Sequence, residues 1–484
     1  MEGYDNSAEE QPQPFNAIKL EPASKRKRSQ TPVVPSSKQA EIPTDIKRRR
    51  SNSPPARKLK RPGQRARIGD AEREQIRQRR LEREREAEMA AAAKIAAKGI
   101  HDAVKQHYNA VPERGRDWRK TNSRIKGLRS FNNWIKSFII QKFSPNEDFQ
   151  PTLPENDGLK TSKRPLTRKG LLVLDIGCGK GGDLGKWQQA PQPVELYVGI
   201  DPADISINQA RERYRQMFTR DGGGRGRRVH LNRITQKMFH AEFYIQDCFS
   251  ETIEKIPIIR EVGFDGSGGP SSFGGGGFDV VSMMFCMHYA FETESKARLM
   301  LKNVAGALKK GGRFIGCIPN SDVLAEQVKK FNARKATNSE NGQSETNTSD
   351  NHDDGEIEEG EAEEGAKWGN EIYQVRFPGK TPDDGSFRPP FGWKYSFFLH
   401  EAVEEVPEYV VPWETFRAIA EDYNLEMQYH KPFHDIWEAE KDDDTMGSLS
   451  ERMGVRERGG GSLLVSNEEM QAASFYVAFC FYKV

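Results

Sequence analysis

The hydrophobic and polar positions of residues 171–187 follow the order strand, glycine loop and helix start. Leu171–Ile176 is apolar except for Asp175, and a short branched run bounded by glycine is typical of a parallel strand buried on both faces. Glycines follow at positions 177, 179, 181 and 182, where the missing side chains let a ligand approach the backbone. The pattern predicts a cofactor-binding loop at the end of a buried strand.

The same alternation of apolar runs and amphipathic segments continues along the chain. It predicts helices at residues 128–140, 183–188, 206–218 and 296–310, with Gly311-Gly312 ending the last of them. It predicts strands at residues 196–201, 241–246, 278–283, 313–318, 368–377, 395–399 and 475–480, and an apolar turn at 406–411. Because strands and helices alternate through most of this series, we expect an open, doubly wound α/β sheet.

Composition separates the folded region from the segments around it. Residues 1–70 are rich in Pro, Ser, Lys and Arg and hold almost no aromatics, which predicts a disordered basic tail. Glu and Arg alternate in residues 71–100, which predicts a charged helix with i,i+4 pairs. Insertions at about 263–277 and 336–364 are polar or glycine-rich; we predict both to be disordered and assign the acidic run 349–364 no role. The folded domain should span residues 101–484.

Charge is unevenly distributed, although the formal net charge is only +3. Basic clusters at residues 25–28 and 47–50 are typical of nuclear import signals or of segments attracted to phosphates, with a solvated tail as the alternative. No apolar run approaches the ~18 residues that cross a bilayer, and no signal-peptide core is present, so we expect an intracellular, nuclear protein without membrane contact. The 5 cysteines show no metal-ligand spacing, and we expect no metal site.

Glycine spacing narrows the choice of cofactor. A dinucleotide turn is written G-x-G-x-x-G, whereas Gly-Cys-Gly-Lys-Gly-Gly-Asp here follows an acid, Asp175, inside the strand. This form resembles the loop of S-adenosylmethionine-dependent methyltransferases, with a different nucleotide or a purely structural loop as the alternatives. Asp201 ends the second strand, where its carboxylate can accept both ribose hydroxyls, and Asp247 follows the third strand, where it suits the adenine amino group.

Four motifs occur together in an order that one family shares. They are His107-Tyr-Asn109, Phe131-Asn-Asn-Trp-Ile-Lys136, Asp175-Ile-Gly-Cys-Gly-Lys-Gly-Gly-Asp183 and His288-Tyr-Ala-Phe-Glu292. From residue 101 to the carboxyl terminus the chain resembles the eukaryotic, fungal-like mRNA cap guanine-N7 methyltransferases. The resemblance implies a Rossmann-like class I methyltransferase sheet, a small addition covering the cap, S-adenosyl-L-methionine as cofactor and the capped 5′ end of nascent mRNA as substrate. It also makes transcription or other capping machinery candidate partners of the N-terminal tail.

The resemblance further implies which residues form the site. It assigns the cofactor to Lys136, Gly177, Asp201, Asp247, Met284 and Tyr289. It assigns the cap to Asn132, Asn133, Lys180, Lys186, Arg213, His288, Glu408 and Tyr476, with the three cations on the triphosphate bridge. Judged by spacing alone, His288 would be a structural histidine, Glu408 an exposed acid and Tyr476 a core residue, and both asparagines would be exposed polar residues of a helix.

The implied reaction requires no general base, because guanine N7 already carries the lone pair that attacks the methyl group. We expect catalysis by positioning and electrostatics, with His288 and Tyr289 between the two ligands and Glu408 favouring the positive charge that moves to the purine. Met284 departs from the family, which typically has glutamine near the cofactor. A polarizable thioether there predicts modified packing beside the adenosyl group and retained binding.

Two other functions remain open at this point. A methyltransferase for another RNA position or for protein arginine would share the cofactor loop but not the cap residues named above. A noncatalytic RNA-binding scaffold would be expected to lose the cofactor acids, whereas Asp201 and Asp247 are both present. Methyl transfer from labelled cofactor to capped RNA, compared with uncapped RNA, discriminates among these functions.

Overall fold

The computed structural model describes residues 100–110, 118, 121–149, 170–222, 238–266, 276–340 and 365–484. The basic tail, the charged segment before residue 100 and the centres of both insertions lie outside these residues, so the predictions made for them stay predictions. None of the helices in the described ranges is long and apolar enough to cross a membrane.

The strands of the described chain fall into two sheets. In chain order they are β1 (Leu171–Ile176), β2 (Val194–Asp201), β3 (His240–Ile245), β4 (Phe278–Met284), β5 (Leu308–Pro319), β6 (Lys367–Gly369), β7 (Tyr373–Arg376), β8 (Lys394–Leu399), β9 (Val403–Tyr409), β10 (Leu425–Pro432) and β11 (Tyr476–Lys483). The larger sheet has the spatial order β10-β11-β5-β4-β1-β2-β3, and the smaller has the order β6-β7-β8-β9.

The larger sheet is doubly wound, as the sequence predicts. Its strands β1 to β5 pair in parallel, while β11 runs antiparallel between β5 and β10. The chain order reverses where β1 lies between β2 and β4. Open α/β sheets bind ligands outside the carboxyl ends of the strands at such a reversal, and the glycine loop lies directly after β1.

Helices connect these strands and flank the sheet. In the described residues they are α1 (Ile100–Ala110), α2 (Lys126–Phe143), α3 (Leu184–Trp187), α4 (Asp204–Gly222), α5 (Pro257–Val262), α6 (Glu294–Ala307), α7 (Ser321–Glu340), α8 (Trp413–Asp422), α9 (Phe433–Glu440), α10 (Asp444–Met453) and α11 (Asn467–Ala473). Single 3-10 turns lie at Ile253–Lys255 and Met287–Glu292.

Successive side chains of the parallel strands join two different apolar cores. In β1, Leu171 and Val173 belong to the core shared with α2, whereas Leu172 and Leu174 belong to the core shared with α6 and α8. Side chains of a strand alternate between the two faces, and here both faces are covered by helices. This explains why β1 is apolar and fully buried along its length.

The smaller sheet is the addition that the resemblance implies. Its four strands pair antiparallel, and it is anchored to the larger sheet by Phe475, the residue before β11. The Phe475 ring stacks on Phe397 of β8, with centroids 5.6 Å apart, and packs edge-on against Tyr395 at 6.4 Å. The aromatic contacts therefore fix β8 and β9 beside the end of the larger sheet.

Helices α6 and α7 end at residues other than those predicted from the sequence. Helix α6 ends at Ala307, so the prediction that it reaches residue 310 is wrong, and Gly311 lies inside β5 with a φ of 81°. Leu308 already pairs with Phe278 of β4, which starts the strand early. Residues 336–340, predicted to be disordered, instead form the last turn of α7, because extending an existing helix costs less than starting one.

Two other predicted elements differ in kind. The strand predicted at 368–377 is a hairpin of β6 and β7, because the side-chain oxygen of Asn370 accepts hydrogen bonds from the backbone of Ile372 and Tyr373 and turns the chain. The apolar turn predicted at 406–411 is mostly strand: β9 ends at Tyr409 and pairs Glu408 with Tyr395 of β8.

Candidate active site at the carboxyl edge of the sheet

The loop after β1 has a backbone that only glycine adopts easily. Gly177, Gly179 and Gly181 have φ angles of 73°, 51° and 67°, in the left-handed region. A Cβ atom on Gly177 would lie 2.5 Å from Cys286 Sγ, and one on Gly181 would lie 2.7 Å from Leu184 Cδ1. A Cβ on Gly179 would meet no atom within 4 Å, so the middle of the loop borders open space that a ligand can occupy.

Asp201 closes β2 beside this loop. Its Oδ2 accepts a hydrogen bond from the Gly179 amide at 2.9 Å, and its Oδ1 accepts one from the Ala203 amide at 2.8 Å. Burial raises the pKa of Asp201, and both backbone bonds oppose that shift. Each carboxylate oxygen keeps a second lone-pair direction, so the residue is oriented and can still accept two hydroxyl groups. The loop and this acid therefore suit the adenosyl ribose.

Asp247 lies at the same edge of the sheet. Asp201 pairs with Ile245 at the end of β3, and Asp247 follows two residues later. Its Oδ1 accepts from the Phe249 amide at 2.9 Å and its Oδ2 accepts from Ser250 Oγ at 2.8 Å. The carboxylate thus stabilises its own turn, two residues after the residue that pairs with Asp201.

Asp175, the polar residue inside β1, lies just before the glycine loop and binds side chains of the two neighbouring strands. Tyr197 of β2 donates to its Oδ2 at 2.6 Å, and Ser282 of β4 donates to its Oδ1 at 2.7 Å. Burial raises the pKa of Asp175 to about 7, with the nearby Asp183 carboxylate adding to the rise. Because both donors lie on neighbouring strands, this carboxylate joins β1, β2 and β4 at the switch point.

A buried cluster of Asp183, Lys136, Lys186 and Asn133, here called the lysine–aspartate cluster, lies at the start of α3. Lys136 Nζ is 2.9 Å from Asp183 Oδ2 and 2.8 Å from Oδ1, and Lys186 Nζ is 2.8 Å from Oδ1 and from the side-chain oxygen of Asn133. Burial alone would raise the pKa of Asp183, but the two ammonium groups hold it well below its usual range. Two cations share one carboxylate, which leaves surplus positive charge.

The other predicted phosphate-binding cations lie along the same loop. Arg213 of α4 donates to the Gly181 carbonyl at 3.2 Å, and Lys186 approaches the Gly182 carbonyl at 3.4 Å. Lys180 is half-buried within the loop itself. Lys180, Lys186 and Arg213 therefore lie on or beside the glycine segment and present positive charge suited to an anionic ligand. Their assignment to the triphosphate stays a prediction.

Glu408 is a buried carboxylate with few donors. It is 4% exposed, and Tyr395 donates to its Oε2 at 2.8 Å. His288 Nε2 lies 3.5 Å from Oε1, yet neither ring nitrogen of this buried histidine has a hydrogen-bond partner among the described residues. We regard the contact as a close approach without a hydrogen bond, because the geometry at that distance fails. Buried polar groups normally have hydrogen-bond partners, so a water molecule or a ligand would be expected to bind beside the His288 ring.

Tyrosine and phenylalanine rings enclose the space around Glu408. Tyr289 follows His288, and its hydroxyl is 3.1 Å from that of Tyr108 on α1. Tyr476 at the start of β11 packs against Phe285 and Phe433, with centroids 4.9 and 5.8 Å apart. Burial raises the pKa of Tyr289 and Tyr476 well above the usual value, and Glu408 adds to both shifts. Both tyrosines are therefore neutral donors.

Comparison with known proteins agrees with this arrangement. A family model described as the mRNA (guanine-N(7))-methyltransferase domain matches residues 91–345 and 355–484. The chain is 61% identical over 475 residues to the mRNA cap guanine-N(7) methyltransferase of Pyricularia oryzae, covering 97% of this chain and 91% of the relative. The relative from Aspergillus clavatus is 57% identical (88% and 77% covered), and that from Schizosaccharomyces pombe is 41% identical (79% and 82% covered).

The chain belongs to the mRNA cap guanine-N7 methyltransferase family. It is an S-adenosylmethionine-dependent mRNA (guanine-N7)-methyltransferase with a Rossmann-like sheet and an additional antiparallel sheet. The match decides against the noncatalytic scaffold and against methylation of protein arginine or of another RNA position.

The two asparagines of α2 differ in their surroundings in this methyltransferase. Both polar atoms of the Asn133 side chain are used within the protein, because its Nδ2 also donates to the Arg129 carbonyl at 2.8 Å. Asn133 therefore orients Lys186 in the structure. The side-chain oxygen of Asn132 is buried and has no partner among the described residues, so Asn132 is the better placed of the two to bind a ligand.

Met284 is packed as a hydrophobic residue at the end of β4. It is 9% exposed, and its sulfur lies 3.8 Å from the Cys317 thiol of β5. Its expected effect on packing beside the adenosyl group stays a prediction.

Three residues of the site were not assigned roles from the sequence. Asp183 ends the glycine motif. Its position at the start of a helix, between Lys180 and Lys186, could have indicated an ion-pair cluster. Tyr108 stood in the quoted His-Tyr-Asn motif. Tyr395 had no sequence signal, because its bond to Glu408 depends on the register of β8 and β9.

Proposed function

We propose that this methyltransferase transfers the methyl group by direct in-line attack of guanine N7, with positioning and electrostatics in place of a general base. The observation that carries the proposal is the buried Glu408 carboxylate, which among the described residues accepts a hydrogen bond from Tyr395 and none from His288. A nitrogen that already has a lone pair needs no proton removed, which agrees with a site without a base-activated nucleophile.

The cofactor would be held by residues that follow or end three neighbouring strands, β1, β2 and β3. Bound S-adenosylmethionine supplies an electrophilic methyl group on its sulfonium. Asp201 accepts from the ribose hydroxyls, Asp247 faces the adenine amino group, and the Gly177 turn lets the ligand approach the backbone. This proposal is supported by the open space in front of Gly179 and by the fixed orientation of both carboxylates.

Lys136, Met284 and Tyr289 complete the proposed cofactor contacts. Lys136 is oriented by Asp183, and its raised pKa, in which Asp183 outweighs burial, keeps it cationic. Met284 contributes polarizable packing, and Tyr289 contributes a neutral hydroxyl held by Tyr108. Together these residues fix the direction of the methyl group.

Glu408 would recognise the guanine. A carboxylate can accept from the ring N1–H and the exocyclic amino group together, which is a pairing that uncharged isosteres do not reproduce. Positive charge moves toward the purine during the reaction, and a carboxylate in a buried, low-dielectric setting stabilises that charge. His288 and Tyr476 would enclose the base, and Asn132 would add an amide contact.

The triphosphate bridge would bind Lys180, Lys186 and Arg213. Ammonium and guanidinium groups make short charge-assisted bonds to phosphate oxygens. The surplus positive charge of the lysine–aspartate cluster supports this assignment, and Asn133 then orients Lys186. With both ligands fixed in line, positioning can contribute about 7–11 kcal/mol to rate acceleration.

Substitution Glu408→Gln tests the proposal. Glutamine keeps the size and one acceptor oxygen but presents an amino group to the guanine donors. We expect kcat/KM for capped RNA to fall by about 10² or more, while cofactor affinity without RNA stays near wild type. Glu405→Gln, an exposed glutamate on the same strand, is the matched control. Unchanged methylation would remove Glu408 from the guanine pocket, and lost cofactor binding would indicate a structural role.

We also propose that the N-terminal basic clusters direct the enzyme to the nucleus and to transcription or other capping machinery. Their density of Lys and Arg at residues 25–28 and 47–50 supports this. Replacing both clusters with alanine should reduce nuclear accumulation of a fluorescent fusion and leave methyl transfer in vitro intact. Full nuclear accumulation of the replaced chain would refute the assignment.

A further inference from the structure

The His107-Tyr-Asn109 motif lies at the end of α1, and the proposed reaction does not use it directly. Helix α1 lies outside the alternating sheet topology and packs against α4 and β9. Two of its residues, Tyr108 and Asn109, make polar contacts to other parts of the chain. This is unexpected for a helix that only covers apolar surface.

Asn109 acts as a helix cap from outside the helix that it caps. Its Nδ2 donates to Asp204 Oδ1 at 3.0 Å, and its Oδ1 accepts from the Ile205 amide at 3.2 Å. Asp204 begins α4, so the Ile205 amide is one of the first four N–H groups, which have no partner within a helix. The residue just before a helix normally accepts a hydrogen bond from such a group. Here the accepting oxygen belongs to the Asn109 side chain, on α1.

The capped turn is the one that presents the ribose acid. Asp201 Oδ1 accepts from the Ala203 amide, one residue before the start of α4. The four residues 201–204 therefore form a short bridge between β2 and α4, with Asp201 held at one end and Asn109 bound at the other. Movement of the first turn of α4 would move the backbone that orients the carboxylate.

The neighbouring motif residues anchor α1 itself. The Tyr108 hydroxyl is 3.1 Å from the Tyr289 hydroxyl, and α1 packs against β9 of the smaller sheet. Asn109 is therefore held from two other directions. Because α1 is fixed to both sheets, its amide can restrain α4.

We propose that Asn109 is a positioning residue for the cofactor, which restrains the first turn of α4 and so fixes the orientation of Asp201. The inference rests on the proposed function, because it requires Asp201 to bind the ribose. It adds a residue outside the Rossmann-like core to the cofactor site.

Calorimetric titration of S-adenosylmethionine into the full chain without RNA tests the inference. Asn109→Ala should raise the cofactor Kd about 5-fold, the size expected for losing one helix cap. At saturating cofactor, kcat should stay near wild type, because Asn109 touches no reacting atom. Asn208→Ala, which removes an exposed amide on α4, the helix that Asn109 caps, is the matched control and should bind normally.

A reciprocal exchange separates positioning from general loss of structure. Asn109→Asp alone places two carboxylates together and should weaken cofactor binding. Combining it with Asp204→Asn restores one amide, one carboxylate and an acceptor for the Ile205 amide, so affinity should return to near wild type. Failure of this rescue would overturn the proposal, as would an unchanged Kd for Asn109→Ala while Asp201→Ala loses binding. If Asp201→Ala also binds normally, the proposed ribose contact fails instead.

Discussion

Removing the carboxylate of the lysine–aspartate cluster should destabilise the fold more than removing any exposed ion-pair partner. In wild type, the side chains of Asp183, Lys136 and Lys186 are 10%, 15% and 12% exposed, so water cannot replace the lost carboxylate fully. The substitution Asp183→Asn keeps the shape and one acceptor oxygen. It leaves two buried ammonium groups without a counterion.

The magnitude follows from the partners that remain. Deleting one member of a buried ion pair typically costs about 3–5 kcal/mol, because the remaining charge is buried without compensation. Asn133 still accepts from Lys186, and asparagine still offers an oxygen to one lysine. We therefore expect the low end of the range, about 3 kcal/mol in the free energy of unfolding at pH 7.

The pH dependence gives a second, independent test. The pKa of Asp183 is depressed in the folded chain, so its contribution to stability is present above the unfolded value of about 4 and is lost as pH falls through the folded value. The stability difference between wild type and variant should therefore shrink in acid. It should also shrink toward alkaline pH, because burial without Asp183 lowers the pKa of both lysines and lets them become neutral.

Urea denaturation followed by fluorescence measures these differences. The control is Asp422→Asn, which removes an exposed partner 3.0 Å from Arg298 and should leave the midpoint nearly unchanged. The reasoning would be refuted if Asp183→Asn and Asp422→Asn shifted the midpoint equally at pH 7. A deficit that stayed constant from pH 3 to pH 10 would refute the electrostatic cause.

Three further predictions concern single positions. Gly177→Ala should remain folded but lose cofactor affinity in calorimetric titration, because alanine is strained at a φ of 73°. Gly182→Ala is the control and should bind the cofactor normally, because its Cβ would meet no atom within 4 Å. Equal affinities of the two variants would contradict this prediction. Gly127→Ala should lower the free energy of unfolding, measured by urea denaturation, by roughly 1–3 kcal/mol, because its Cβ would overlap the Glu469 carboxylate. An unchanged free energy of unfolding would exclude the overlap. Burial lowers the pKa of His430, so the free energy of unfolding should fall as pH drops below about 6.5. His430→Gln should remove the part of this fall that comes from protonating the histidine. The same dependence of stability on pH in wild type and variant would count against this prediction.

Local pattern was sufficient for the elements that carry the cofactor. The apolar run of β1, the glycine φ angles and the acids at the ends of β2 and β3 each depend on residues close together in sequence. β1 has the predicted bounds, β2 and β3 begin two residues and one residue earlier than predicted, and Asp201 lies directly at the end of β2. These features were predictable because strand burial and turn conformation are set over a few residues.

The surroundings of Glu408 could not be derived from local pattern. Its carboxylate meets Tyr395 across the β8–β9 pair, which depends on strand register, and it meets His288, 120 positions earlier in the chain, which depends on how the smaller sheet docks. The resemblance to a family indicated Glu408, but neither spacing nor composition indicated its donor. A single strand was likewise predicted at 368–377, because alternation continues on both sides of the Asn370 turn.

Two of the buried carboxylates of the site, Asp183 and Glu408, differ in their partners. Asp183 is matched by two ammonium groups, so its charge is already compensated and serves to hold Lys136 and Lys186 in place. Glu408 has a tyrosine hydroxyl and an unbonded histidine close by, neither of which supplies a hydrogen-bonded positive charge. A reaction that moves positive charge onto a purine gains most from a carboxylate that is not yet compensated. Placing a lysine beside Glu408 should therefore reduce methylation even with the carboxylate retained.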